Sequence, residues 1–219
     1  MTQPDPSRAD QAEAERRRVD QRRVGRSRNR RDEILRVAFD LFAERGYRGT
    51  SLAAVADRAG LTQQGLLHYF PNKEALLVEV LQLSDELDIR RPLAKSTNAV
   101  PSYARPLDQL AELVAYNSTR PSVIRSLTVL ATESLTDDHP ARSFFVERYA
   151  DLRRGAEAAL RTELPGRLPG GVTAEQASVL LIAVIEGLQL QWLLRPDEID
   201  MARLFTAFLQ LIREMGETE

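Results

Sequence analysis

The chain has 219 residues, of which 43% are hydrophobic and 28% charged, a composition that suits a soluble globular protein with one medium domain and a small one. It contains no cysteine, which excludes a disulfide framework, a thiolate nucleophile and a cysteine metal site. The net charge of −2 hides a split: residues 1–31 carry ten arginines against five acidic residues, or +5, leaving −7 for the remainder.

A basic end on an acidic body points to a polyanionic partner near that end, the plainer alternative being a solvated tail. Residues 1–28 hold Pro4, Pro6 and charged runs with few apolar side chains, so they are expected to be a disordered basic arm. Arg22, Arg23, Arg26, Arg28, Arg30 and Arg31 stand just ahead of the first helix, well placed to meet phosphates or a flanking minor groove. The first helix is predicted over 31–45. Ile34, Leu35, Ala38, Phe39, Leu41 and Phe42 form its core face, and Gly46 stands at its end.

Residues 51–73 read as two short helices around a tight turn. Ser51 caps the first, Leu52, Val55, Ala56 and Ala59 give it an apolar face, and Gly60 ends it. Thr62 caps the second, Pro71 stops it, and Asn72 caps a third. At ~100° per residue the second helix puts Leu66, Tyr69 and Phe70 on one side. Gln63, Gln64, Gly65, Leu67 and His68 fall on the other, with no acidic residue among them. Glutamine pairs with adenine in the major groove, an apolar tip meets a thymine methyl, and glycine permits close approach. Such a face suits the recognition helix of a helix-turn-helix, although a short helical pair in any all-α protein looks similar in isolation.

The surrounding residues carry more. Ile34-Leu35-x-x-Ala38-x-x-Leu41-Phe42 is followed by Gly46-Tyr47, Thr50-Ser51 and Val55-Ala56-x-x-Ala59-Gly60-Leu61-Thr62. Next come Gly65-x-x-x-Tyr69-Phe70-x-Asn72-Lys73-Glu74-x-Leu76. This dense signature at fixed spacing closely resembles the N-terminal DNA-binding domain of the TetR family of transcriptional regulators. The resemblance implies base or near-base contacts from Gln63, Gln64, Gly65 and His68, and phosphate contacts from Ser51, Tyr69 and Lys73. Leu67 stands where many family members have a tyrosine whose hydroxyl meets the DNA backbone. It cannot donate a hydrogen bond, which leaves a thymine methyl as its expected contact.

The next helix is predicted over 73–87, and 89–106, with three prolines, as a loop or broken helix. Further helices are predicted over 107–117, 122–134, 140–160, 173–194 and 200–215, with a Pro/Gly connection at 164–171 and no strand alternation. Glu133 with His139-Pro140, Phe144-Phe145-x-x-Arg148-Tyr149 and Glu186-Gly187-Leu188-x-Leu190-Gln191-Trp192 resemble a TetR subclass more loosely.

The last two helices are apolar round most of their circumference, which implies burial either inside one subunit or at an interface. The resemblance implies the second: a homodimer through these helices, with two recognition helices on a roughly palindromic operator. Tyr116, Asn117, Glu133, Phe144, Tyr149, Glu186, Gln189 and Trp192 are candidates for lining an effector pocket, ordinary core packing being the alternative.

The expected fold is therefore all-α. A three-helix DNA-binding domain at 29–75 precedes a larger helical effector-binding and dimerisation domain at 76–219. The expected function is a ligand-responsive repressor released from DNA by a small molecule. An activator of the same family, or a helical module without specific DNA binding, is the alternative. The two histidines lie far apart and no phosphate loop or metal-ligand spacing occurs, so no enzyme activity, metal or cofactor is expected. The longest unbroken apolar run, 179–185, is too short to span a bilayer and no signal-peptide core stands at the N-terminus, so a cytoplasmic protein with no membrane partner is expected.

Overall fold

The computed structural model describes residues 29–85, 105–165 and 168–216; the expected arm at 1–28 and the expected loop at 89–106 fall almost wholly outside them. The described residues are helical, with no strand. Helix α1 spans 29–49 and turns at Gly46, whose φ of 70° is left-handed. Then come α2 (Leu52–Arg58), α3 (Gln63–Leu67) and α4 (Lys73–Asp85). After the undescribed stretch follow α5 (Pro106–Ser118), α6 (Pro121–Glu133), α7 (Arg142–Glu163), α8 (Ala174–Leu194) and α9 (Met201–Gly216).

The ends are set by the residues that the sequence marked. Ser51 accepts the Ala54 N–H at 3.1 Å, Thr62 the Gly65 N–H at 3.0 Å, and Asn72 the Ala75 N–H at 2.8 Å. Each side chain satisfies an N–H that the helix cannot bond internally. Gly60, at φ 65°, makes the turn between α2 and α3. Thr173 and Gln176 form a reciprocal capping box on α8. The connection before α8 contains a short 3-10 turn at Pro169–Gly171.

Two apolar clusters organise the chain. The first joins α1 to α4 and extends into the body through Leu127, Leu130, Ala141 and Phe145. Leu76, Leu77, Val80 and Leu81 of α4 belong to it, so the expected division after residue 75 falls inside a helix that packs with the head. The second cluster joins α5, α7, α8 and α9, with α7 lying along α8 and α9 against α5 and α8. A partly buried ion triad braces it: Arg213 of α9 bonds Glu163 of α7 at 2.6 Å and Asp108 of α5 at 2.7 Å. Glu163 also accepts the Leu107 N–H at 3.0 Å, a carboxylate at the positive end of α5.

Helix α8 corrects one expectation and excludes one alternative. By length and composition all of Ala174–Leu194 is long and apolar enough to cross a membrane, which its unbroken apolar run concealed. It is nevertheless packed as a core helix on one side, against α7 and α9. It is also not buried all round within one subunit. Leu181, Ile182 and Trp192 are buried, whereas Val179, Leu180, Leu190 and Leu194 are 50–71% exposed. The open residues, with Ala183 and Gly187, follow a spacing of three and four and form one stripe. Leu204, Ala207 and Leu211 form a second open stripe on α9.

Candidate nucleic-acid interface and effector cavity

Helix α3 is held by two large anchors. Leu66 and Phe70 are fully buried, and Leu61 and Tyr69 pack beside them. A five-residue helix so anchored has one rotational setting. Gln63, Gln64, Leu67 and His68 are consequently exposed together, with Ser51 exposed at the start of α2. Gly65 lies between them; a Cβ there would sit 3.2 Å from the Thr62 hydroxyl that caps the helix. The glycine thus protects the cap as well as thinning the outer surface.

Several cations expected to reach outward are turned inward. Arg30 donates to the Ala59 carbonyl at 2.6 Å, and Arg31 to the Tyr69 carbonyl at 2.9 Å and to Glu79 at 3.0 Å. Arg31 also lies over the Phe70 ring. These two arginines clamp α1 to the helix-turn-helix, and the rest of the arginine group lies outside the described residues. Lys73 donates to the carbonyls of Tyr47 (2.9 Å) and Thr50 (3.0 Å) and sits 4.1 Å over the Tyr47 ring. Lys73 was expected to meet phosphate; here most of its donor capacity closes the corner between α1 and α2. Tyr69 is half-buried.

A second site lies in the body. A cavity of about 300 Å³, the lower end of the size of small-molecule sites, opens between α5, α6, α7 and α8. Its walls are mostly aliphatic, from Leu110, Leu113, Ile124, Leu127, Leu152 and Ile185, with the Phe145 ring. Four of the eight candidate residues line it: Asn117, Tyr149, Glu186 and Gln189. The Tyr149 hydroxyl donates to the Glu186 carboxylate across the α7–α8 seam. Burial, and then this bond to a carboxylate, push the Tyr149 phenol well above its ordinary range, so it remains a neutral donor.

The other four do not line it. Tyr116 is 41% exposed on the outer side of α5, with the Arg120 guanidinium 4.1 Å over its ring. Phe144 is turned one residue away from the cavity and meets the Phe145 ring edge-on at 5.3 Å. Trp192 is buried in the second cluster, beyond the cavity. Glu133 accepts the backbone N–H of Tyr47 at 2.6 Å, which makes it a contact between body and head. The residues missed were Thr128, Thr132 and Arg148. The spacing Phe145–Arg148–Tyr149–Leu152, one face of α7 at i, i+3, i+4 and i+7, was the signal available.

Both halves of the chain match models of known families. Residues 34–80 match the model of the bacterial regulatory proteins of the tetR family, and residues 104–215 that of the C-terminal domain of BetI-type transcriptional repressors. The transcriptional regulator TtgR of Pseudomonas putida is 30% identical over 177 residues, covering 78% of this chain and 83% of its own length. The regulator AcrR of Shigella flexneri is 25% identical over 199 residues, 84% of this chain and 88% of its own. The crystal structure of NalD, the secondary repressor of the MexAB-OprM multidrug efflux pump in Pseudomonas aeruginosa, superposes with a TM-score of 0.65 at 26% identity. That alignment covers 86% of this chain and 96% of NalD.

Proposed function

The chain belongs to the TetR family of bacterial transcriptional regulators, and from that premise we propose that it represses transcription as a dimer on a palindromic operator and leaves that operator when a small molecule fills the cavity. It is a DNA-binding regulator and not an enzyme. Its domains are a reading head built on α1 to α3 and a helical effector-binding and dimerisation body, with α4 connecting them. The observation that carries this reading is the single setting of α3: Leu66 and Phe70 are buried while Gln63, Gln64, Leu67 and His68 are presented together. Gln63 and Gln64 are the base readers, with Gly65 and His68 close to the base edges and Leu67 against a thymine methyl. Ser51 and Tyr69 meet phosphates. Lys73 supports the corner from behind.

The open stripes of α8 and α9 are the dimer face. Two copies related by a two-fold axis bury Val179, Leu180, Leu190 and Leu194 with Leu204 and Leu211 in a four-helix seam. Gly187, above which a Cβ would meet nothing within one protomer, lets the facing helix come close. Such a protein works inside the cell, where the DNA is.

Release is a population shift, in which the effector binds the conformation with misplaced heads better than the DNA-competent one. Helix α6 is the carrier: Thr128, Ala131 and Thr132 line the cavity, and Glu133 and Ser126 bond Tyr47 and Phe39 of the head. The test is a mobility shift of the purified chain on the DNA upstream of its own gene. Retarded complexes with two chains per duplex are expected; no selective complex in dilute salt would remove the reading.

A further inference from the structure

The polar groups on the cavity wall are unevenly spent. Thr128 donates its hydroxyl proton to the Ile124 carbonyl at 2.9 Å, and Thr132 donates to the Thr128 carbonyl at 2.8 Å. The Tyr149 proton goes to Glu186. Each of these hydroxyls has used its single donor and has only acceptor lone pairs left for a ligand. Glu186 is the one acidic residue among the described lining residues, and no ion pair reaches it among the described residues. A carboxylate has about four acceptor positions, and the phenol occupies one. The rest of the wall is mostly aliphatic, with the Phe145 ring, and Tyr149 stands beside the carboxylate that its hydroxyl bonds. Three groups act the other way, the amide N–H of Gln189 among them. Arg148 lines the cavity and already has an interaction of its own, and Asn117 offers its amide N–H while its oxygen accepts from Arg120 at 3.2 Å.

We propose that the effector is an apolar molecule carrying one protonated amine, held with its ammonium against the Glu186 carboxylate and the Tyr149 ring and its body along the aliphatic wall. The ammonium supplies the donors that the hydroxyls lack, and the carboxylate supplies its counter-ion. The aromatic faces favour a cation over a neutral group of the same size. An anionic ligand would meet Glu186 and the lone pairs of Thr128 and Thr132, which cannot donate to it, and would be left to Arg148, Asn117 and Gln189 for its donors. This inference rests on the cavity being the effector site, as proposed above.

The experiment is calorimetric titration of the full chain, without DNA, using three probes with one apolar body: 4-phenylbutylamine, 4-phenylbutanol and 4-phenylbutanoate. The amine is expected to bind about tenfold or more tighter than the alcohol, with the carboxylate weakest. Glu186→Gln should level the amine and the alcohol, whereas Tyr149→Phe, which removes the competing phenol, should keep the preference for the amine. Equal binding of the three probes, preference for the carboxylate, or no binding of the amine at millimolar concentration overturns the proposal. So does a Glu186→Gln variant that weakens the dimer but retains the preference, because the carboxylate would then answer a partner chain. A mobility shift run separately with the amine distinguishes the two readings: an amine that binds Glu186 selectively yet never affects a protein–DNA complex leaves this site standing and removes the regulatory one.

Discussion

The carboxylate of Glu133, at the C-terminal end of α6, accepts the backbone N–H of Tyr47, at the end of α1, over 2.6 Å. A carboxylate at that end of its own helix is unfavourable, so local helix chemistry does not account for it. The head does account for it. Gly46 carries no Cβ, and one placed there would lie inside van der Waals contact of the Glu133 carboxylate. Glycine is needed twice at this position, for the φ of 70° and for the space. Around the same joint, Lys73 lies over the Tyr47 ring, and His139 meets that ring edge-on at 5.0 Å.

Glu133→Ala leaves the Tyr47 N–H without this acceptor and should lower stability by ~1–3 kcal/mol in denaturant unfolding, with Glu133→Gln much milder. Gly46→Ala should also destabilise, by ~1–2 kcal/mol from the left-handed backbone alone and by more from the crowding. Because both changes touch one contact, the double variant should cost less than their sum by more than ~0.5 kcal/mol. Strict additivity would show that Glu133 and Gly46 are not coupled.

Lys73→Met distinguishes a supporting lysine from one that holds phosphate. Its ammonium faces two carbonyls and a ring. Affinity should fall by a similar factor on all duplexes through loss of head stability, while the slope of log K against log salt stays unchanged. A direct phosphate contact predicts a slope smaller by ~1.

His139 is buried, accepts the Ala141 N–H through Nδ1 at 3.2 Å, and has no partner for Nε2. Burial holds its pKa below the ordinary 6.5, with the Glu133 carboxylate acting in the opposite direction. The folded protein therefore binds this proton less readily than the unfolded chain. Stability is complete above about pH 6.5 and falls as the pH drops from there toward the folded value. His139→Asn keeps an acceptor for Ala141 and cannot titrate. The difference in stability between the two proteins should therefore change between pH 7 and pH 5, always against the wild type on acidification. A difference independent of pH over that range would mean that the imidazole does not carry the effect.

Leu180 and Leu211 are 57% and 58% exposed on the open stripes of α8 and α9, and neither lines the cavity. Leu180→Arg and Leu211→Arg should each give a folded monomer in sedimentation at concentrations where the wild type is a dimer, and should weaken operator binding at least a hundredfold. A dimer that persists in both variants would place the interface on another face.

The head was legible because each of its turns has a chemical marker. Ser51, Gly60, Thr62 and Asn72 punctuate it, and the anchors Leu66 and Phe70 fix which side of α3 faces out. The body was legible as helices, but the cavity was only half so. Asn117 shares its stripe with Leu110 and Leu113, and Tyr149 with Phe145 and Leu152, so their register gave them away. Tyr116 and Phe144 are each one position off that register, and chemical type alone had suggested them. Glu133 depended on a tertiary contact 86 residues away, which no local pattern encodes. Residues such as Lys73 and Arg31 read as free cations because sequence shows a charge but not the carbonyl that it faces.

The central claim is that α3 reads duplex sequence, and selection from a pool of randomised duplexes by the purified full chain tests it most directly. The account predicts enrichment of a roughly palindromic site whose half-sites lie about one helical turn, or a whole number of turns, apart. It also predicts that Gln64→Ala, selected in parallel, loses preference at one base position in each half-site, a discrimination of ~1–3 kcal/mol. Recovery of unrelated duplexes with no common motif, or a Gln64→Ala motif identical to the wild type at every position, would contradict it.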